Sequence, residues 1–138
     1  MNSLRHWLRS HASSLQCVHG QPDHVRFLAC GVRSIVTVNA AQSYQRKLAA
    51  LLHECGHIII YRRRRRNCKT RICGATYREW WLETGQLKRG TKRRMLNILY
   101  EEICAWELGE KLAQKLKIRL RSKAFDQCRT RALLTYTG

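Results

Sequence analysis

The sequence predicts a mainly helical α+β fold, with a small N-terminal β-sheet or hairpin packed beside a helix that binds a metal. Three observations support this fold class: two short runs rich in β-branched residues, a helical pattern centred on an H-E-x-x-H motif, and a second long helical pattern downstream. The chain has 138 residues, which is enough for one modest hydrophobic core. We therefore expect residues 1–138 to form a single domain.

The N-terminal segment, residues 1–21, is basic and contains several serines. This composition is also found in targeting peptides. We favour the alternative, an N-terminal helix that docks on the core, because the apolar residues are spaced to form one face. These residues are Leu4, Trp7, Leu8 and Leu15. The Gly-Gln-Pro-Asp sequence at residues 20–23 predicts a turn after this segment.

Two β-branched or aromatic runs follow, Val25 to Cys30 and Ser34 to Val38. Their composition predicts two short strands, and the brief connection between them is consistent with a hairpin. A small sheet beside a metal-binding helix would also offer an edge on which an extended peptide could add as a strand.

Tyr44 to Tyr61 is predicted to form one continuous helix, with Ser43 as its N-cap. It carries His53, Glu54 and His57 in the pattern H-E-x-x-H. Positions i and i+4 share a helix face, so the two imidazoles can approach one ion, and Glu54 is placed to reach a water on that ion. The alternative is a pair of hydrogen-bonded core histidines. We favour metal binding because two uncoordinated imidazoles and a glutamate are costly to bury together.

The helical pattern returns from Lys92 to about Leu120 and offers two adjacent glutamates as a third ligand. At roughly 100° per residue, Glu102 lies at the centre of the apolar stripe of this helix, whereas Glu101 lies at its margin. A buried carboxylate needs a partner, and a metal ion would be sufficient. We therefore choose Glu102. The alternative is a buried Glu102 paired with one of the many arginines.

His53, His57 and Glu102 would form a His₂Glu site with a position left for water, which is typical of catalytic rather than structural zinc (Zn2+). Zinc acidifies its bound water, and Glu54 would accept the proton as general base and pass it to the leaving amine. This chemistry predicts hydrolysis of a peptide or protein substrate. Other first-row metals also accept these ligands. The residues that could stabilise the oxyanion are Tyr61, Tyr100 and several arginines.

Two blocks of the chain resemble a known family. Residues 34–60, which include L-L-H-E-C-G-H-I-I-I, and residues 101–109, E-E-I-C-A-W-E-L-G, are similar to small zincin-like proteins of bacteriophages and prophages. These proteins are related to the ImmA/IrrE-type gluzincins, and residues 125–136 also resemble their C-terminal helix. The resemblance implies a minimal zincin-like domain, Glu102 as metal ligand, and a metallopeptidase in the cytoplasm of a bacterial host.

The segment between Arg62 and Arg94, which we call the basic insertion (about residues 62–94), does not belong to that pattern. It holds 13 of the 27 basic residues, in a chain whose formal charge is +18. Such a charge predicts attraction to polyanions. Five consecutive arginines begin the insertion, and Tyr77, Trp80 and Trp81 could stack on bases. The five arginines are Arg62, Arg63, Arg64, Arg65 and Arg66.

Two interpretations of this insertion remain open. It could bind nucleic acid, or it could be a solvated helix end favoured by the helix dipole. The first interpretation gives a competing function: a basic nucleic-acid-binding protein whose metal site is structural or catalytically inactive.

The seven cysteines and the hydropathy bear on location. An odd number of cysteines without a secretory signal indicates reduced thiols in a cytoplasmic protein rather than a disulfide framework. No apolar run approaches the roughly 18 residues that span a bilayer, so we expect no transmembrane segment. Cys55, inside the motif, is expected to point away from the metal.

Overall fold

A computed structural model describes residues 2–28, 32–65, 71–72 and 75–137. These residues form, in chain order, helices and strands that confirm the predicted mainly helical α+β fold. The elements are α1 (Asn2–Ser10), β1 (Ser13–Val18), β2 (His24–Leu28), β3 (Arg33–Asn39), α2 (Tyr44–Arg65), β4 (Arg71–Ile72), β5 (Ala75–Thr76), α3 (Tyr77–Gln86), α4 (Lys92–Lys115) and α5 (Ser122–Leu134).

A three-stranded sheet in the order β1-β3-β2 lies at the N-terminal end of the chain. The expected hairpin is confirmed, because β2 pairs antiparallel to β3 with Val25 opposite Val36. The predicted end of the first strand at Cys30 lies outside the described residues. β2 is an edge strand of this sheet. It lies beside α2, and its residues line a cavity together with residues of that helix.

The strand β1 was not predicted, and the expectation that Leu15 belongs to the N-terminal helix is wrong. Helix α1 ends at Ser10, and Ala12 adopts a φ of 47°, which redirects the chain into β1. β1 pairs parallel to β3, and the hydroxyls of Ser13 and Ser34 lie 2.6 Å apart in the interior. Its sequence is too polar to signal a strand, so the pairing with β3 supplies what local propensity does not.

The hydrophobic core surrounds α2. The helix extends beyond the predicted end at Tyr61 as far as Arg65. Its buried residues pack with β3 and with α1, where Leu4 and Leu8 are buried as expected, and Trp7 and Leu15 are partly buried against the same cluster. Cys55 is fully buried in this core, on the side away from the metal-binding face, and burial raises the pKa of its thiol. Other buried core residues of α2 are Leu48, Leu51, Leu52 and Ile58.

Helices α2 and α4 make direct backbone contact at two glycines. A Cβ atom on Gly56 would lie 2.0 Å from the carbonyl oxygen of Ala105, and one on Gly109 would lie 2.5 Å from that of Leu52. Neither position has room for a side chain, so the two helices approach more closely than other residues would permit. This contact lies one to two turns from Glu102 and brings its carboxylate opposite the α2 histidines.

The basic insertion contains the end of α2, the short β4–β5 hairpin, and α3. Helix α4 then begins at Lys92, where the hydroxyl of Thr91 accepts a hydrogen bond from the Arg94 backbone N–H. It ends at Lys115 rather than near Leu120, because Lys117 has a φ of 53° and the chain turns into α5. Arg66 lies outside the described residues. No helix in the described part of the chain is long and apolar enough to cross a membrane.

The close backbone contact at Gly56 predicts that a side chain there lowers the stability of the protein. Gly56→Ala should lower the free energy of unfolding by about 3 kcal/mol or more, since the added methyl group meets a backbone carbonyl that cannot move independently. Chemical denaturation monitored by circular dichroism measures this change. Gly85→Ala is the matched control: a Cβ there meets nothing within 4 Å, so it should leave stability unchanged or raise it by up to about 1 kcal/mol. Equal stability of the two variants would contradict the proposed close packing.

Candidate metal centre

One face of α2 presents the motif residues toward α4. His53 and Glu54 are buried, with 9% and 5% of their surface exposed, and His57 is half-buried. Because His53 and His57 are one helical turn apart, their rings point into the same space, and their Nε2 atoms are 3.2 Å apart. The ring of His53 is also held by stacking on Trp106 of α4, with ring centroids 4.4 Å apart.

Glu102 completes a compact group of donor atoms. Its two carboxylate oxygens lie 3.1 Å from the Nε2 atom of His53 and 3.5 Å from that of His57. Zinc ligands at roughly 2.0–2.1 Å from a tetrahedral ion are about 3.3 Å from one another. The three side chains therefore have the separation that one ion requires, and they form a group that could hold a metal ion.

The structure places Glu102 where helix periodicity predicted it, facing both histidines. Assignment of His53, His57 and Glu102 as metal ligands stays a prediction, and so does the identity of the ion. The three donors come from two helices only, so their spacing depends directly on the close approach of α2 and α4 at Gly56 and Gly109.

Glu101, the glutamate that was not chosen, also lies at the site. Its carboxylate oxygen is 3.4 Å from the Nδ1 atom of His57, on the side of the ring opposite the Nε2 atom that faces Glu102. A carboxylate in this position can orient an imidazole and increase its basicity as a ligand. Sequence reasoning missed this role, because a residue at the margin of an apolar stripe can reach a neighbouring ring only if the partner helix is close.

The ionisation of the three donors follows from their mutual contacts. Burial alone would lower the pKa of His57, but its hydrogen bonds with Glu101 and Glu102 outweigh burial and raise the pKa to about 10. Burial would raise the pKa of Glu102, but its hydrogen bonds with His53 and His57 lower it to about 2. For His53 burial dominates and lowers the pKa. The protonated His57 ring therefore lies between the carboxylates of Glu101 and Glu102. A metal cation could replace this positive charge.

Glu54 lies beside this group without belonging to it. Burial raises the pKa of its carboxyl to about 7, and the backbone N–H of Val25 in β2 opposes this rise to a smaller extent. Its side chain lines the same cavity as the three donors. A carboxyl group with a pKa near neutrality, within reach of a metal site, is suited to accept and return a proton.

The site opens into a cavity of about 410 Å³ between β2, α2, α4 and the C-terminal end of α5. Tyr61, one of the predicted oxyanion candidates, lines this cavity and stacks on Phe27 with ring centroids 4.0 Å apart. Tyr100, another candidate, packs near Ile60 and Ala105 instead. The lining residues are Asp23, His24, Val25, Phe27, His53, Glu54, His57, Ile60, Tyr61, Glu101, Glu102 and Tyr136.

Tyr136 is a site residue that sequence reasoning did not identify. It follows α5 and lines the same cavity as Glu102. Burial, together with the charge and hydrogen bond of Glu102, raises the pKa of its phenol to about 12. The resemblance of residues 125–136 to a C-terminal helix was the only sequence signal in this region, and it did not single out the tyrosine.

No protein-family model matches the chain, and it matches no curated protein and no solved structure. The resemblance to zincin-like phage proteins therefore stays a prediction, and the case for the site depends on its geometry.

The geometry predicts different effects for the two adjacent glutamates. Glu102→Ala should abolish stoichiometric zinc binding because it removes one donor, whereas Glu101→Ala should weaken affinity by about 10- to 100-fold, as loss of an orienting group does. Metal analysis of the purified variants, followed by competition with a chelator, measures both effects. Loss of zinc in the Glu101 variant alone would contradict the ligand assignment.

The contacts also predict how the metal-free site titrates. His57 should remain protonated up to about pH 10, while His53 should stay neutral down to below its ordinary value of 6.5. Because the folded pKa of His57 is raised, its ion pairs stabilise the metal-free protein fully below pH 6.5, and this contribution is lost as the pH rises through 10. Nuclear magnetic resonance of labelled histidines measures both titrations. Two imidazoles that titrate together near 6.5 would contradict the described contacts.

Proposed function

We propose that the protein is a zinc-dependent metallopeptidase that hydrolyses peptide bonds with Glu54 as general base. The observation that carries this proposal is the convergence of His53, His57 and Glu102 on one point, with the Glu54 carboxyl beside them in an open cavity. A structural zinc site is closed by four protein ligands, whereas three ligands beside a cavity favour a catalytic role.

Two imidazoles and one carboxylate are a donor set suited to zinc, although other first-row metals accept it too. When bound, zinc supplies a Lewis acid that polarises the substrate carbonyl and makes water more acidic. His53, His57 and Glu102 would hold the ion. Glu101 would keep the His57 ring in its binding orientation, since it contacts the opposite nitrogen of that ring.

Glu54 would move the proton. It accepts a proton from the attacking water and later transfers it to the nitrogen of the leaving amine. Its burial raises the carboxyl pKa to about 7, and a cation on the neighbouring histidines would favour the ionised form that this step needs. The backbone N–H of Val25 also favours the ionised carboxylate.

We propose Tyr136 as the side chain that stabilises the oxyanion. Its pKa of about 12 keeps the phenol protonated at neutral pH, so it can donate a hydrogen bond to the carbonyl oxygen as negative charge develops there. It lines the same cavity as the three donor side chains. Tyr61 lies in the same cavity, and its ring stacks on Phe27.

The edge of β2 offers a way to bind the substrate. In the described part of the chain β2 pairs only with β3, and Val25 and Phe27 of β2 line the cavity. An extended peptide could add along this edge by main-chain hydrogen bonds, which would lay a scissile bond across the donor group. We therefore propose a peptide or protein substrate bound in an extended conformation.

We further propose that the protein acts in the cytoplasm, of a bacterial host if a phage encodes it. The described cysteines are consistent with reduced thiols, since they form no disulfide within the described residues. They are Cys17, Cys55, Cys104 and Cys128.

The proposed mechanism predicts different losses for Glu54 and Tyr136. Glu54→Gln should abolish zinc-dependent cleavage of a fluorogenic peptide library, because the glutamine amide cannot accept the proton from the attacking water. Tyr136→Phe should lower kcat by about 100-fold, the usual loss for one oxyanion donor. Both variants should keep about one equivalent of zinc per chain, which metal analysis measures beside the kinetics.

Tyr44→Phe is a matched control for Tyr136→Phe, because Tyr44 is exposed at the start of α2 and does not line the cavity. It should retain full activity. Zinc-loaded protein that cleaves no peptide in the library would refute the peptidase proposal, and unchanged hydrolysis in Glu54→Gln would refute the assigned base.

A further inference from the structure

A second cleft lies on the other side of the α2–α4 pair. It has a volume of about 450 Å³ and is bounded by α1, the C-terminal half of α2 and the C-terminal half of α4. At roughly 100° per residue, Arg62 lies about 180° around α2 from His53, and Lys111 lies about 180° around α4 from Glu102. The cleft and the candidate metal centre therefore use opposite faces of the same two helices.

Basic side chains from two helices surround this cleft. Arg62 and Arg63 come from α2, and Lys111 and Lys115 come from α4. Among the described residues that line it, none is acidic. Glu107, one turn before Lys111, does not line it, and Glu110 is 3.7 Å from Arg129 of α5. The cleft thus concentrates positive charge in a chain that already carries a net charge of +18.

The floor of the cleft is apolar and aromatic. Ile59, Leu108 and Leu112 line it together with Trp7, whose ring stacks on His11 with centroids 3.9 Å apart. Arg62 is partly structural, because its guanidinium donates a hydrogen bond to the His11 carbonyl at the end of α1. That contact fixes the aromatic pair next to the basic side chains of α2.

We propose that this cleft binds the phosphate backbone of a single-stranded nucleic acid. Four cations around an aromatic floor match the combination by which proteins bind single strands, with charge along the backbone and ring surfaces for the bases. A duplex offers phosphates but keeps its bases stacked inside, so it cannot use the floor. An acidic peptide or an anionic membrane could use the charge, and the experiment below separates them.

The proposal gives part of the predicted arginine run a defined place. Arg62 and Arg63 line the cleft, the side chains of Arg64 and Arg65 are not described, and Arg66 lies outside the described residues. The contribution of Lys111 and Lys115 comes from α4, far from the run in sequence. This inference does not depend on the proposed peptidase activity, because it uses neither the donor group nor Glu54.

The test is fluorescence anisotropy with a labelled oligothymidylate of about 12 nucleotides, a length within the site sizes of single-strand binders. The double variant Lys111→Gln/Lys115→Gln should weaken binding by about tenfold or more. It should also reduce the slope of log K against log salt by about 1.4 between roughly 50 and 200 mM, since each phosphate contact in a single strand contributes about 0.7.

The matched control is Lys88→Gln/Lys123→Gln, which has the same net charge and alters two exposed lysines outside the cleft. It should change affinity by less than about twofold. Glu102→Ala should bind the strand as the unaltered protein does, which separates this site from the metal centre. Equal losses in the two double variants would overturn the proposal, because binding would then reflect net charge alone.

Two competitors distinguish the other ligands. Polyglutamate and vesicles rich in phosphatidylserine should displace the strand less effectively than unlabelled oligothymidylate at equal charge. If either displaced it equally well and lost its own binding in the Lys111→Gln/Lys115→Gln variant, the cleft would be a general anion site and the nucleic-acid assignment would be wrong.

Discussion

The backbone contact between α2 and α4 is the constraint on which the site depends. Gly56 meets Ala105 and Gly109 meets Leu52 at distances that exclude a Cβ atom. A wider crossing would move the α4 carboxylates away from the α2 imidazoles by the same amount. A metal site tolerates deviations of only a few tenths of an ångström in its metal–ligand distances. The two glycines therefore control the geometry of the candidate metal centre, although they do not contact the donor side chains. The core around Cys55, Ile58 and β3 then holds α2 from its other side.

The distribution of acidic residues makes the centre chemically distinct from the rest of the molecule. The chain has nine acidic residues against 27 lysines and arginines, yet Asp23, Glu54, Glu101 and Glu102 all line one cavity. The Asp23 carboxylate is fixed by hydrogen bonds from the Asn39 N–H and the Gln42 side chain, each 2.7 Å long. Negative charge is thus concentrated where a cation would bind. The surrounding positive charge is screened over about 8–10 Å at ordinary salt, so the local carboxylates determine the field at the donors.

Periodicity and motif spacing were sufficient for the elements whose signal is local. The H-E-x-x-H helix and the hairpin of β2 and β3 follow from patterns within one segment, and the structure agrees with both. The periodicity of α4 also predicted that Glu102 lies on the face toward the histidines, where the structure has it, while its role as a ligand stays a prediction. The features that escaped prediction depend on contacts between distant segments. Strand β1 forms by pairing with the free edge of β3. Glu101 contacts the His57 ring because α4 crosses α2 closely. Tyr136 lines the cavity because α5 returns to the site. Their residues carry no local pattern that distinguishes them.

The two proposed sites lie on opposite faces of the α2–α4 pair. Under the proposed function, a substrate that adds along β2 must stay bound for long enough to react. The cavity of about 410 Å³ has room for only a few residues of such a substrate. A nucleic-acid strand on the opposite face would leave the cavity open, since Arg62 and Lys111 point away from His53 and Glu102. Protein substrates that are themselves bound to the same strand would then be presented at high effective concentration. Peptide binding on one face and strand binding on the other would together select protein substrates that are bound to nucleic acid, which neither face could do alone.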